Sequence, residues 1–158
     1  MRKDSRFLAW GGVTAALYVV LTFISSAFGL SSGVIQLRLS EALCILPCVS
    51  PAAIPGLAIG CLLANLLTGA VALDVVFGSI ATLFGAVGTY LLRNHRFLAC
   101  LPPIVSNMII IPIILTTAYQ MNFGSSFLYI VLSVGIGEFI SCGVLGQLVL
   151  SVMKKIQK

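Results

Sequence analysis

The sequence predicts an all-α membrane protein: a single integral domain over residues 1–158, with six transmembrane helices and both termini cytoplasmic. Two observations predict the class. Of the 158 residues, 59% are hydrophobic and 8% charged, with a mean hydropathy of +1.15; a soluble domain of this size carries about a quarter charged residues. The charges are also clustered. Residues 7–37, 42–73, 75–92, 97–137 and 139–153 contain no Asp, Glu, Lys or Arg, and a spanning helix needs roughly 20 apolar residues. A third observation, where the basic residues fall, sets the number of spans and their direction.

The first span covers about 7–28. Arg2, Lys3 and Arg6 precede an apolar run as in a secretory leader. The run from Phe7 to Phe28 exceeds the roughly 7–15 apolar residues of such a leader, so it reads as an uncleaved helix. Its "AWGGVTAALYVV" carries two small-xxx-small pairs, Gly11/Ala15 and Gly12/Ala16. Small faces let helices approach closely in lipid. One pair suits packing inside the bundle, and a doubled face near the cytoplasmic end also suits docking to a second membrane protein.

Residues 39–70 are long for one helix and short for two upright ones. Pro51 and Pro55 in "SPAAIP" interrupt the run, because proline removes a helical donor and clashes with the preceding turn. The prediction is a short span over about 39–50 and another over about 53–70. In the latter, "GLAIGCLLANLLTG", Gly56, Gly60, Ala64 and Thr68 recur every fourth residue and form a small face. The remaining spans cover about 74–92, ending at "RNHR", then about 97–118, and about 127–152 ahead of Lys154, Lys155 and Lys158.

Cytoplasmic loops are enriched in Lys and Arg. Six spans from a cytoplasmic N-terminus put eight basic residues inside and only Arg38 outside. Five spans would leave Arg2, Lys3 and Arg6 inside and put Arg93, Arg96 and the three lysines outside. Six spans therefore fit better.

Several function classes are excluded or disfavoured. The net charge of +5 does not indicate nucleic-acid binding, because the basic residues are loop anchors rather than one continuous face. There is no G-x-x-x-x-G-K-[ST], so the chain does not bind ATP through a P-loop. The one histidine, His95, lies between two loop arginines. The five cysteines sit in apolar segments and read as small buried residues, with no metal-site spacing and no cofactor implied. No nucleophile–base pair and no internal repeat is evident. The chain reads as a membrane binding module energised from elsewhere.

Ionisable groups inside spans are costly and usually functional. Here they are Glu41, Asp74 and Glu138, with Arg38 beside them and the amides Gln36, Asn65, Asn107 and Gln120 nearby. At about 1.5 Å per residue, Asn65 lies roughly 8 Å below the outer surface, while Asn107 and Glu138 lie roughly 16 Å down, near the midplane. These groups describe a cup open to the outside. Arg38 and Glu41, three apart, could pair with each other, and Asp74 could complement the dipole of its own helix. Glu138 has no basic residue at its depth. The cup's net negative charge suits a ligand rich in N–H donors or a cation, since a carboxylate accepts two parallel bonds from an amidine-like edge. Phe28, Phe77, Tyr119, Phe123 and Phe127 lie near the rim, where they could stack on a flat ring or anchor the interface.

"VIQLRLSEALCILP", "GLAIGCLLANLLTG" and "LDVVFGSIATLFGAVGTYLLRN" closely resemble the QueT family. This family comprises substrate-binding S components of energy-coupling-factor (ECF) transporters, assigned to queuosine precursors. The resemblance runs from about Leu8 to the end, and the glutamate of "GIGEFIS" fits it. It implies an ECF S-component-like bundle in a prokaryotic cell membrane. It implies partners, a transmembrane coupling subunit and two ATPases, with no nucleic acid. It also implies docking through a helix-one A-x-x-x-A-like motif, matched here by Gly11/Ala15 and Gly12/Ala16. The implied ligand is a deazaguanine base such as queuine, its aminomethyl precursor, or the nucleoside, captured from outside and released inward as the subunit topples. On this reading Glu138 and Asn107 read the base, Asn65 and Asp74 flank it, Phe77 is a candidate stacking residue, and Arg38, Glu41 and Gln36 fix the outer loop as a lid. The alternative is a solitary proton-coupled transporter of a purine-like or vitamin-like solute, with Glu138 titrating.

Overall fold

Four of the charge-free runs wind into helices long and apolar enough to cross a membrane. These are helix one, Arg2–Ala27; helix four, Asp74–Leu91; helix five, Leu98–Ala118; and helix six, which joins Ser125–Glu138, Phe139–Leu145 and Gly146–Ile156 end to end. Two shorter apolar helices complete the bundle, helix two over Leu39–Cys48 and helix three over Ala53–Leu67. The computed structural model describes residues 2–30, 36–118, 120 and 124–156, and these contain no strand. Tyr119, Phe123 and Lys158 lie outside the described residues.

The awkward length of residues 39–70 is resolved by winding. Helix two is a 3₁₀ helix of 10 residues, and helix three an α-helix of 15. At about 2.0 Å per residue the first extends roughly 20 Å; at about 1.5 Å the second returns roughly 22 Å. A hairpin of matched arms therefore forms from unequal residue counts. Long 3₁₀ runs are uncommon because their hydrogen bonds are poor. Here the backbone is shielded: Ser40 through Pro47 are all buried, packed against helices one, three, four and six. Irregular backbone at membrane depth is tolerated where protein rather than lipid covers it. Pro55 does not break helix three. It stands in the first turn, where a backbone N–H has no intrahelical partner.

The small face of helix three is a seam to helix one. A Cβ on Gly56 would lie 2.5 Å from the Gly11 carbonyl oxygen, and one on Gly60 would lie 3.0 Å from Ala15 Cα. Gly11 and Ala15 are thus used inside the bundle. Gly12 has nothing within 4 Å of its Cβ position, and Gly12 and Ala16 are both exposed on the outer side of helix one. Helices four and five form a second tight seam, with Gly85 2.7 Å from Pro103 Cα by the same measure and Gly88 against Pro102.

Arg93, Arg96, Lys154 and Lys155 gather at the end of the bundle opposite Arg38 and Asp74. There Arg96 Nε donates to Gln147 Oε1 at 2.8 Å, Gln147 Nε2 donates back to the Arg96 carbonyl at 2.8 Å, and Arg96 also reaches Ser151. This clamp ties the loop after helix four to the last turns of helix six.

Candidate binding site

The outer end of helix two begins from an extended approach. Arg38 has φ −110° and ψ 110°, and the helix starts at Leu39. Because Arg38 is not helical, the i, i+3 pairing with Glu41 does not form. The guanidinium crosses to helices three and four instead. Nη1 donates to Asn65 Oδ1 at 3.3 Å, and Nη2 forms an ion pair with Asp74 Oδ2 at 3.1 Å. Asn65 Nδ2 in turn donates to the Asp74 carbonyl at 3.1 Å. Three helices are joined by one arginine.

Glu41 is buried in the first turn of helix two. The Tyr18 hydroxyl of helix one donates to its Oε1, and the Cys44 thiol to its Oε2 at 3.0 Å. On the opposite wall Asn107 Nδ2 donates to Glu138 Oε1 at 2.7 Å, joining helices five and six near the depth expected for both. Among the described residues, Glu138 Oε2 and Asp74 Oδ1 are buried with no hydrogen-bond partner. A buried carboxyl oxygen without a partner is expensive.

These groups enclose a cavity. Gln36, Arg38 and Glu41 line it from helix two and its approach, Asn107 and Glu138 from helices five and six, and Cys61, Gly78 and Thr82 from helices three and four. Its volume is about 20 Å³, room for about one water. Gln36 is held over it from the backbone, its N–H donating to Ser133 Oγ at 3.2 Å. Its carbonyl lies on helix six where only Gly137 permits it, since a Cβ there would overlap that oxygen. Carboxylates and amides are thus gathered inside an apolar multi-helix bundle, where ionisable groups are costly. In a comparison with known families, the family model described as QueT transporter matches residues 8–155.

The chain belongs to the QueT transporter family.

No curated protein and no solved structure matches it. Membership of the QueT transporter family, with four helices apolar enough to cross a membrane, makes it a multi-pass membrane transport protein acting on a small molecule.

Within this QueT chain the anticipated residues divide. Glu138, Asn107, Glu41, Arg38 and Gln36 meet at the cavity. Asn65 and Asp74 stand behind Arg38. Phe77, the candidate stacking residue, stands apart from these: it is 48% exposed and lines an apolar surface groove with Leu73, Ile110 and Ile113. The cause is local winding. Asp74–Gly78 is a π turn, whose wider i→i+5 ring rotates Phe77 away from the face that carries Asp74. Phe28 is also turned outward, 77% exposed.

Tyr18 was not anticipated. A signal was available: it stands mid-helix, away from the interfaces where tyrosines normally sit, and a buried hydroxyl there needs a partner. Tyr18→Phe is expected to leave Glu41 Oε1 short of its donor and to lower stability by about 1–3 kcal/mol. Denaturant unfolding in detergent measures this. Adding Glu41→Gln should recover part of the loss, because the stranded charge is then gone.

Proposed function

We propose that this chain is the substrate-capture subunit of an ATP-driven ECF importer, and that it takes a queuosine precursor, a deazaguanine base or its nucleoside, from outside the cell. The observation that carries the reading is Glu138. It lines the cavity, one of its oxygens is fixed by Asn107, and the other is a buried acceptor with no partner. A planar donor edge satisfies such a carboxylate. Glu41 and Glu138 give the cavity its acidic character, with Arg38 closing it.

The cavity must open to work. About 20 Å³ is far below the roughly 300–1,000 Å³ of ordinary ligand sites. Gln36 to Arg38 acts as the lid, held by the Gln36 N–H on Ser133 Oγ, the Leu37 N–H on the Leu30 carbonyl at 2.9 Å, and the Arg38 guanidinium. The basic residues at the opposite end favour a cytoplasmic position for it under the positive-inside rule, and the proposal puts the chain in the cell membrane of a prokaryote with both termini inside. Titration of the purified protein with queuine, its aminomethyl precursor and the nucleoside tests the substrate, with saturable binding of at least one expected. No binding of any of the three removes the assignment.

The sequence holds no P-loop, so the energy comes from partners, a coupling subunit and two ATPases. The exposed pair Gly12/Ala16 is the docking face, since Gly11/Ala15 is occupied by helix three. Gly12→Leu with Ala16→Leu is expected to abolish copurification with the coupling subunit while leaving ligand affinity within about twofold, as nothing in the bundle meets a side chain at Gly12. Uptake that survives loss of the ATPases and collapses with an uncoupler would replace this reading with the proton-coupled one.

A further inference from the structure

Arg38 faces two spaces. On its inner side is the carboxylate cavity of about 20 Å³. On its outer side is a second, larger recess of about 170 Å³, lined by Thr22 and Ser26 of helix one, Asn65 and Thr68 at the end of helix three, and Ala70. Arg38 and its latch partner Asn65 both line this recess, and among the described residues Arg38 alone lines both spaces. The recess is half polar in character, with three hydroxyl side chains and an amide around it. Its Arg38 side chain is only 25% exposed.

We propose that this recess is the antechamber of the binding site, and that the Arg38 side chain is the gate between the two compartments. Passage requires the guanidinium to leave Asn65 Oδ1 and Asp74 Oδ2, its two acceptors. Once it leaves, the two volumes become one continuous polar space running from helix one, past Asn65, to Glu138. The latch is built to be reversible. Its bonds, at 3.1 and 3.3 Å, are longer than a tight charge-assisted pair of about 2.7–2.9 Å. Asp74 keeps a second, unpartnered oxygen beside the gate, so a departing guanidinium can change oxygens before it is free. The access route therefore runs between helices one and three, by movement of one side chain rather than of a helix. This goes beyond the substrate assignment and holds for any ligand that the inner cavity takes.

Cys61 supplies the reporter. It lines the inner cavity, is buried, and is a free thiol. Cys142 is equally buried and free but does not line the cavity. In backgrounds keeping only Cys61 or only Cys142, labelling rates are measured with two small methanethiosulfonates, the neutral hydroxyethyl reagent and the trimethylammonium reagent. The rate at Cys61 is expressed relative to Cys142, which removes any general loosening of the fold. Arg38→Ala is expected to raise that ratio at least tenfold with both reagents. Asp74→Asn, which keeps the gate side chain but weakens its latch, is expected to raise it several-fold. An unchanged ratio in either variant overturns the gate. So does a rise confined to the cationic reagent, which would show only that a positive charge had been removed. Because the probes are thiol reagents, a wrong substrate assignment leaves this result untouched.

Discussion

Glu138→Gln is expected to weaken ligand binding roughly 10- to 150-fold, the equivalent of about 1.5–3 kcal/mol for a hydrogen bond to a charged group. The free Oε2 is the acceptor at stake. Glutamine keeps an oxygen for Asn107 Nδ2, so the helix-five to helix-six contact at 2.7 Å survives. It also removes a group whose buried second oxygen has no partner while the site is empty. Thermal stability of the ligand-free protein should therefore hold or rise while affinity falls. That opposite movement separates a ligand-reading residue from a structural one. A variant that bound the ligand as tightly as wild type, or that lost stability with affinity intact, would remove Glu138 from the recognition role.

Gly137→Ala is the second large effect. The Gln36 carbonyl rests on helix six at this glycine, and a methyl group has no room because the obstacle is backbone. The lid segment must lift. Overpacking of this kind typically costs about 1–3 kcal/mol, and here the displaced atoms include the Gln36 N–H bonded to Ser133. Dissociation of bound ligand should quicken by about an order of magnitude, read by displacement in a stopped-flow instrument. Gly135→Ala is the matched control. It lies on the same helix, but its Cβ would meet only the end of the Met108 side chain at 2.8 Å, and methionine readily re-packs. Equal effects of the two substitutions would show that the glycine at 137 serves helix packing in general and not the lid.

Much of the architecture was legible because bilayer physics leaves a coarse mark on sequence. Charge-free runs near Val13, Phe84, Ile110 and Leu132 could only be buried or lipid-facing, and they became the four long helices. The every-fourth-residue stripe from Gly56 to Thr68 is a statement about one helix face, and Gly56 and Gly60 do meet helix one there. Glu138 and Asn107 were placed at one depth by counting residues, and a shared depth is all that a hydrogen bond between neighbouring helices requires. Where local counting assumed α-helical winding, it failed. Arg38 and Glu41 do not pair because Arg38 is extended, and Phe77 turns outward because Asp74–Gly78 is a π turn. Both departures are in backbone winding, extended at Arg38 and a π turn at Asp74–Gly78, which no residue spacing encodes.

The sequence by itself determined that this chain lives in a bilayer, how its apolar runs are divided, and which few polar groups must be buried with them. These follow from hydration free energy, which depends on residue type and chain position alone. Only the tertiary structure decided the partners: Tyr18 for Glu41, Asp74 and Asn65 for Arg38, and helix three for Gly11 and Ala15 rather than for Gly12 and Ala16. Each choice joins segments far apart in the chain, and it is made by which side chains a close-packed bundle brings within hydrogen-bond reach.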